Sequence, residues 1–277
     1  MRLPVILVLV SAALCGVLPP PEVTAGDGGW SIIDGEVAKK GEFPWQAQLK
    51  RNTVYVCGAV LVSDLWLLTA AHCLSAEPNP SAYQVILGEY DVTVEEGSEQ
   101  RRGVAQIVLP SDQFNTHRSS LQYDVNDIAL LKIDQPAIYT QWVKALALPD
   151  PAEDFDGQMA VAVGWGASGS TGVGPVYPKV LQKITMTLLA DDVCLRDLVF
   201  FNYVPATMSC AMPPNGSSLC WGDSGGALTY YKSADQPLLA AVTSWGVDCD
   251  LTRMPTVFVE VSAFVKWIAD VISADVV

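Results

Sequence analysis

Short apolar runs separated by turn residues dominate the sequence. Five runs are rich in Val, Ile, Leu, Trp and Tyr, and they cover residues 54–62, 66–71, 84–87, 128–133 and 238–245. Such runs between turn signals are typical of β-strands. Helical spacing of apolar residues is convincing only from Phe264 to Ile272, after Ser262, a residue type that caps helices. The pattern predicts an all-β protein that ends in a helix over about 262–274.

The N-terminal segment has the layout of a secretory signal. Arg2 is followed by an apolar stretch at 4–18 and three prolines at 19–21. A positive start and a short apolar middle are typical of signal peptides, and the stretch is too short for a membrane span. We therefore expect a signal peptide over 1–16 and a secreted protein without a membrane segment. The alternative is an N-terminal membrane anchor.

Composition excludes several classes of function. The chain has 277 residues, of which 50% are hydrophobic and 17% charged, so it can bury a core that offsets its ordering entropy. Its 30 acidic residues exceed the 16 basic ones, for a net charge of -14. This balance disfavours nucleic-acid binding, which needs clustered cations. The 2 histidines, His72 and His117, rule out a histidine-rich metal site.

The cysteines indicate a disulfide-bonded protein. Of the 7 cysteines, Cys15 belongs to the expected signal peptide. The other cysteines form an even set, which in an oxidising compartment predicts three disulfides whose pairing the sequence alone leaves open. There is no CxxC pair to suggest zinc. The members of this set are Cys57, Cys73, Cys194, Cys210, Cys220 and Cys249.

Three separate segments carry the residue types needed for acyl transfer. His72 ends an apolar strand beside Cys73, Asp127 directly precedes a buried strand, and Ser224 lies in a glycine-rich turn over 222–226. Taken singly, such a histidine is more often a packed residue and a glycine-rich turn more often only a turn, and the carboxylate is as easily a turn residue. Together, in the order His, Asp, Ser and each in a specific local frame, they predict nucleophilic catalysis by serine.

With these three local sequences, the chain from Ile32 to the terminal helix resembles the chymotrypsin family of secreted serine endopeptidases. The segments 164–166 and 244–246 also match family landmarks. The resemblance implies two six-stranded antiparallel β-barrels packed together with a C-terminal α-helix. We expect the N-terminal barrel over about 32–145 and the C-terminal barrel over about 146–261. A chain beginning at Ile32 has a suitable length for two barrels, although no internal repeat is visible.

The resemblance implies a role for each residue of the catalytic set. His72 becomes general base and then general acid, Asp127 orients it, and Ser224 is the nucleophile, as in the mechanism known for that family. The backbone amides of Gly222 and Ser224 become the oxyanion hole. The implied disulfides pair Cys57 with Cys73, Cys194 with Cys210, and Cys220 with Cys249. No catalytic cofactor is expected.

Substrate preference follows from the residues that match the family's specificity pocket. An acidic residue at the pocket base selects Arg or Lys, whereas Ser218 stands there in this chain. Gly246 at the entrance leaves room for a large side chain, Thr256 matches a wall position, and Leu219 makes the lining more apolar. We expect cleavage after Leu, Met, Phe or Tyr, with an elastase-like preference for Ala or Val as the alternative.

The landmark Ser244, Trp245 and Gly246 is expected to bind substrate directly. In the family this segment pairs with the extended substrate backbone as an added strand. The same three residues therefore complete the predicted substrate-binding set.

An acidic loop at 88–100 resembles the calcium loop of the same family. The resemblance implies carboxylate ligands from Glu89, Glu96 and Glu99 and carbonyl ligands from Asp91 and Val94. Calcium is a hard cation that takes several oxygen ligands, carboxylates among them. The alternative is a solvated acidic turn.

Activation is expected to follow cleavage before Ile32, with residues 17–31 as a propeptide. The family pairs the new N-terminal ammonium with a buried carboxylate, here Asp223. The residue before the cut is Ser31, where Arg or Lys is usual, which leaves the activating protease open.

The expected activity and partners follow from the complete catalytic set. We expect protein or peptide substrates, protein inhibitors as further partners, and a monomer. A catalytically silent binding module is the alternative class of function. Because such modules usually lose a triad residue and this chain keeps all three, the sequence favours the enzyme.

Overall fold

The computed structural model describes residues 35–110, 125–151, 153–167, 170–171, 174–213, 219–247 and 254–275. The expected signal peptide and propeptide lie outside these ranges, as do Ile32, Ser218 and Cys249. Within these ranges, no helix is both long and apolar enough to cross a membrane.

Strands make up most of the described regular structure. In chain order they are β1 Glu36–Val37, β2 Gln46–Arg51, β3 Val54–Leu61, β4 Trp66–Thr69, β5 Tyr83–Leu87, β6 Gln100–Val108, β7 Ala129–Ile133, β8 Met159–Gly164, β9 Ser170–Thr171, β10 Gly174–Pro175, β11 Gln182–Leu189, β12 Met208–Met212, β13 Ala227–Ser233, β14 Gln236–Trp245 and β15 Thr256–Glu260. The α-helices are α1 Asp191–Asp197 and α2 Val265–Ala274.

The strands form two closed antiparallel barrels, which confirms the predicted fold class. The first barrel has the strand order β2-β3-β4-β7-β6-β5 and closes by pairing of β2 with β5. The second has the order β11-β12-β15-β14-β13-β8 and closes by pairing of β8 with β11. Strand β1 pairs with β11. The start of the segment assigned to the N-terminal barrel is thus attached to the second barrel.

Strand β7 shows why the strands have continuous apolar sequences. Ala129, Leu131 and Ile133 belong to the core cluster inside the first barrel. Ile128 and Leu130, immediately before and within the strand, belong to the cluster between the barrels. Because alternate side chains leave a strand on opposite faces, both faces of β7 are buried. The sequence therefore loses the apolar–polar alternation of a half-exposed strand.

The predicted terminal helix is confirmed, but its predicted cap is wrong. Helix α2 follows a 3₁₀ turn at Val261–Phe264, and Phe264 occupies the capping position without a side-chain hydrogen bond. The Ser262 hydroxyl donates instead to Glu260 Oε1 at 2.8 Å. The helix gains its stability from packing, because its apolar face joins the cluster between the barrels.

Helix α1 was not predicted from the sequence. It has 7 residues, of which Cys194 is buried. So short a segment does not develop a helical period of apolar positions, and isolated helices of this length are unstable in water. A disulfide from Cys194 to Cys210 attaches the helix to β12.

Two of the predicted disulfides are confirmed as pairs. Cys194 bonds to Cys210, and Cys57 of β3 bonds to Cys73. Cys220 is also disulfide-bonded, while its predicted partner Cys249 lies outside the described residues. The bond from Cys57 ties β3 to the segment that carries the candidate histidine.

Candidate active site

His72 lies in a single 3₁₀ turn that begins just after β4. The turn spans Ala71–Leu74, and both Ala71 and Cys73 are buried. The disulfide from Cys73 to Cys57 links this turn to the neighbouring strand β3. The buried flanking residues and the covalent link fix the backbone of His72, while its side chain remains partly exposed.

Asp127 reaches His72 from the turn that precedes β7. Asn126 has a φ of 55°, in the left-handed region that asparagine tolerates better than most residues. Asp127 itself is 1% exposed. Its Oδ1 accepts the His72 backbone N–H at 2.8 Å, and its Oδ2 lies 2.7 Å from His72 Nδ1. The structure thus brings together two residues that are 55 positions apart.

The environment of Asp127 keeps its carboxylate charged. Burial alone would raise the pKa of Asp127, but attraction to His72 and hydrogen bonds from His72 and Ser244 hold that pKa below its ordinary value. An ionised carboxylate only accepts hydrogen bonds. The proton in the contact therefore resides on His72 Nδ1, which leaves Nε2 as the nitrogen that can accept a proton.

Ser224 lies in a tight loop over 222–226, called here the serine loop, which packs on the first barrel. Its carbonyl accepts the Gly58 N–H of β3 at 2.8 Å. Gly225 has a φ of 79°, and a Cβ there would lie 2.3 Å from the Gly58 carbonyl oxygen. A side chain at this position would be strained and would force the loop away from β3. The glycine is required by the close approach of the two barrels.

Ser244 connects the serine loop with the buried carboxylate. The pairing of β14 with β15 skips a residue between Thr243 and Trp245, so Ser244 lies in an irregularity of the strand. Irregularities of this kind reorient side chains next to active sites. The Ser244 hydroxyl donates to Asp127 Oδ2 at 2.5 Å, and its carbonyl accepts a long bond of 3.4 Å from the Ser224 hydroxyl.

The contact from Ser244 to Asp127 was missed by the sequence reasoning. From the sequence, Ser244 is expected only to bind substrate through its backbone. The two residues are 117 positions apart, and no local pattern marks the serine beyond its place in the segment 244–246.

A second buried carboxylate, that of Asp223, holds the serine loop through hydrogen bonds to the backbone. It is 1% exposed and accepts the N–H groups of Gly166 at 2.8 Å and Cys220 at 3.0 Å. Burial raises the pKa of Asp223 to about 6, and these backbone hydrogen bonds oppose the shift. A neighbouring cation would favour its charged form. Its predicted partner Ile32 lies outside the described residues.

The described residues of the predicted specificity pocket differ in exposure. A Cβ built on Gly246 would meet nothing within 4 Å. Thr256 is 2% exposed and Leu219 is 5% exposed. The Thr256 hydroxyl has no hydrogen-bond partner within the described part of the chain. Ser218, the predicted base, lies outside it.

Trp245, the remaining predicted substrate-binding residue, is partly buried. Its ring lies 6.4 Å from that of Phe201 between centroids, in a tilted arrangement. The indole therefore has an aromatic neighbour from the segment that follows α1.

The acidic loop brings together the three predicted carboxylate ligands. Ligand oxygens of Glu89, Glu96 and Glu99 all lie within 4.8 Å of one another. Glu89 is 9% exposed, and its Oε1 has no hydrogen-bond partner among the described groups. Burial, followed by repulsion from Glu99, raises the pKa of Glu89 to about 7. The donor set fits a hard cation, although Lys40 Nζ lies 3.1 Å from Glu96 Oε1.

The two predicted carbonyl ligands lie in the turn between these carboxylates. The N–H of Val94 donates to the Asp91 carbonyl at 3.2 Å. The N–H of Asp91 donates to Glu96 Oε2, also at 3.2 Å. A carbonyl oxygen has two lone pairs, so the Asp91 carbonyl retains capacity for a cation.

Comparison with known proteins identifies the family. The family model described as Trypsin matches residues 32–268. Trypsin-1 of Astacus astacus is 35% identical over 246 residues, which cover 86% of this chain and 98% of that protein. Ovochymase-2 of Mus musculus is 33% identical over 222 residues, covering 79% of this chain and 35% of that protein. Transmembrane protease serine 11C of Mus musculus is 32% identical, with coverage of 87% and 53%. The chain belongs to the trypsin family, and it is a serine endopeptidase, a hydrolase that acts on proteins.

Proposed function

We propose that the chain cleaves peptide bonds through an acyl-enzyme intermediate, with His72, Asp127 and Ser224 as its catalytic triad. The observation that carries this proposal is the 2.7 Å contact from Asp127 Oδ2 to His72 Nδ1. It orients the imidazole and leaves Nε2 as the proton acceptor. A silent binding module has no need of this arrangement.

In the proposed mechanism, Ser224 Oγ attacks the substrate carbonyl carbon while His72 Nε2 takes the hydroxyl proton. The tetrahedral intermediate collapses, His72 gives that proton to the leaving amine, and the acyl group stays on Ser224. Water then repeats the two steps and releases the acid. The amides of Gly222 and Ser224 stabilise the oxyanion, and such donors are typically worth about 3 to 4 kcal/mol each.

The proposed substrates carry medium or large apolar residues before the cleaved bond. Support comes from the open space next to Gly246 and from the buried Leu219 and Thr256. With Ser218 at the pocket base, a buried substrate cation has no counter-ion there, and burial of an unpaired charge is costly. An elastase-like preference is the alternative.

We propose a structural calcium ion in the acidic loop. Glu89, Glu96 and Glu99 would hold it with their carboxylates, and Asp91 and Val94 with their carbonyls. Bound calcium supplies positive charge that offsets the mutual repulsion of the carboxylates. The Oε1 of Glu89 has no hydrogen-bond partner in the described part of the chain, and this observation favours a cation over a solvated turn.

We further propose that the protein is secreted as a zymogen and acts as a monomer open to protein inhibitors. The signal peptide would span 1–16 and the propeptide 17–31, with the protease domain from Ile32 onwards. Cleavage before Ile32 would create an ammonium that pairs with Asp223. The raised pKa of Asp223 is consistent with a buried carboxylate that benefits from such a partner.

Replacement of the nucleophile tests the mechanism. Processed enzyme with Ser224→Ala should lose several orders of magnitude in kcat, because members of a triad act as a unit. Its melting temperature should stay close to that of the wild type, since the Ser224 hydroxyl makes a single long 3.4 Å bond among those described. The exposed Ser233→Ala is the control and should keep full activity. Near-normal peptide hydrolysis by Ser224→Ala would contradict the assignment.

Calcium removal tests the acidic loop. A ligand that binds only the folded state stabilises it, by about 2.7 kcal/mol at a hundredfold excess over Kd. The melting temperature of the wild type should therefore fall with a chelator, and fall less in Glu96→Gln. Glu95→Gln removes a neighbouring, exposed charge and should retain the full response. Identical wild-type melting curves with and without calcium would rule the site out.

A peptide library tests specificity. Processed enzyme should show a higher kcat/KM for Leu, Met, Phe or Tyr before the cleaved bond than for Arg or Lys. Thr256→Gly should enlarge the pocket and shift preference towards aromatic residues. Thr256→Val keeps the volume and removes a hydroxyl that has no hydrogen-bond partner among the described residues, so it should leave the preference unchanged. Efficient cleavage after Arg would refute the proposal, and a sharp preference for Ala would support the elastase-like alternative.

Processing tests the zymogen switch. The full-length chain should be weakly active, and trypsin should activate it poorly because Ser31 precedes the cut. Ser31→Arg should make it trypsin-activatable. Adding Asp223→Asn should abolish that gain although cleavage still occurs, because the new ammonium loses its buried partner. Full activity in an uncut chain, checked by N-terminal sequencing, would contradict the switch.

A further inference from the structure

Strand β3 holds the carbonyl groups of both residues proposed to form the oxyanion hole. The Gly58 N–H donates to the Ser224 carbonyl at 2.8 Å. Three residues earlier along the strand, the Tyr55 hydroxyl donates to the Gly222 carbonyl at 2.6 Å. The first bond comes from the backbone and persists whatever side chain is present. The second depends on one phenol, which joins residues that are 167 positions apart.

The bond from Tyr55 acts on a peptide that has little rigidity of its own. Gly222 has a φ of 102°, a region that glycine enters freely and other residues avoid. The peptide plane before it is held through the Trp221 carbonyl, which accepts the Ala167 N–H at 2.8 Å. The plane after it is held by Tyr55. The Gly222 N–H lies in the first of these planes. The second plane lies between the peptides that carry the Gly222 and Ser224 N–H groups, so fixing it fixes the Gly222 dihedral angles and the orientation of the two amides relative to one another.

Gly222 is closely surrounded by Tyr55 and two other residues. A Cβ built on Gly222 would lie 3.2 Å from Tyr55 Cε1, 3.2 Å from Gly166 Cα and 3.6 Å from Tyr177 Cε1. The Tyr55 ring is thus in close contact with the peptide that its hydroxyl holds. Burial, followed by the nearby Asp223 carboxylate, raises the pKa of Tyr55, so the phenol remains a protonated donor over the working pH range.

We propose that Tyr55 is a positioning residue of the protease, which fixes the peptide between the two amides of the oxyanion hole and so keeps both amides directed at the oxyanion. The inference rests on the proposed catalytic function, because it assigns a role in the same site. An oxyanion hole stabilises the transition state only if its donors are already oriented when charge develops. Loss of the bond from Tyr55 lets the Gly222–Asp223 peptide rotate and the two oxyanion amides shift relative to one another. This weakens transition-state binding without altering the contacts of the substrate ground state.

The test is Tyr55→Phe in enzyme processed to begin at Ile32. We expect kcat to fall about tenfold, the kinetic equivalent of one net hydrogen bond, with KM unchanged. Affinity for a peptide aldehyde, which forms a tetrahedral oxyanion with the nucleophile, should fall by a similar factor. Affinity for the corresponding peptide with a methylene in place of the aldehyde carbonyl, which offers no oxygen to the two amides, should not change. 3-Fluorotyrosine at position 55 keeps the ring and the donor, and should retain the wild-type kcat.

The matched control is Tyr203→Phe, which removes a phenol that donates to the Met208 carbonyl at 2.9 Å elsewhere in the second barrel. It should lower the melting temperature without changing kcat. Wild-type kcat in Tyr55→Phe would overturn the inference, and so would equal losses of kcat in both variants, since these would indicate general destabilisation. A wild type as inactive as Ser224→Ala would instead defeat the proposed function itself. The two failures are therefore distinguishable.

Discussion

The buried carboxylate of Asp127 is the interaction on which the geometry of the site depends. It is desolvated, so its charge is tolerated only where hydrogen-bond donors converge on it. Those donors come from both barrels: His72 follows a strand of the first, and Ser244 lies on a strand of the second. Satisfying one charge therefore ties the segment that carries His72 to a strand of the opposite barrel.

Asp223 applies the same constraint to the serine loop. Its carboxylate accepts two backbone N–H groups, one of them from Gly166 just after β8. A Cβ on Gly166 would lie 2.4 Å from the Asp223 carboxylate, so this close approach requires glycine. From the other side, β3 holds the carbonyls of Gly222 and Ser224. The loop is thus fixed between a buried charge and a strand of the opposite barrel.

The sequence predicted well what depends on local pattern. The five predicted runs coincide with β3, β4, β5, β7 and β14 to within a few residues, because strands buried on both faces contain few polar positions. It failed where a tertiary contact decided the outcome. Ser262 bonds to Glu260 where a helix cap was expected, and α1 depends on a disulfide and not on a helical period. The local sequences around His72 and Ser224 could be recognised. The bonds from Ser244 and Tyr55 could not be predicted, because they join residues more than a hundred positions apart.

A cation bound in the acidic loop, as proposed, would affect more than the loop itself. Tyr90, next to Glu89, offers its carbonyl to the Trp165 indole at 3.1 Å and to the Leu181 N–H at 3.0 Å. Both donors belong to the second barrel or its connections, and Trp165 is buried in the cluster between the barrels. Gly166, the residue after Trp165, donates to Asp223. Repulsion among the loop carboxylates therefore acts one residue from a contact that joins the barrels. For this reason, relief of that repulsion should stabilise the domain as a whole against cooperative unfolding, and not the loop alone.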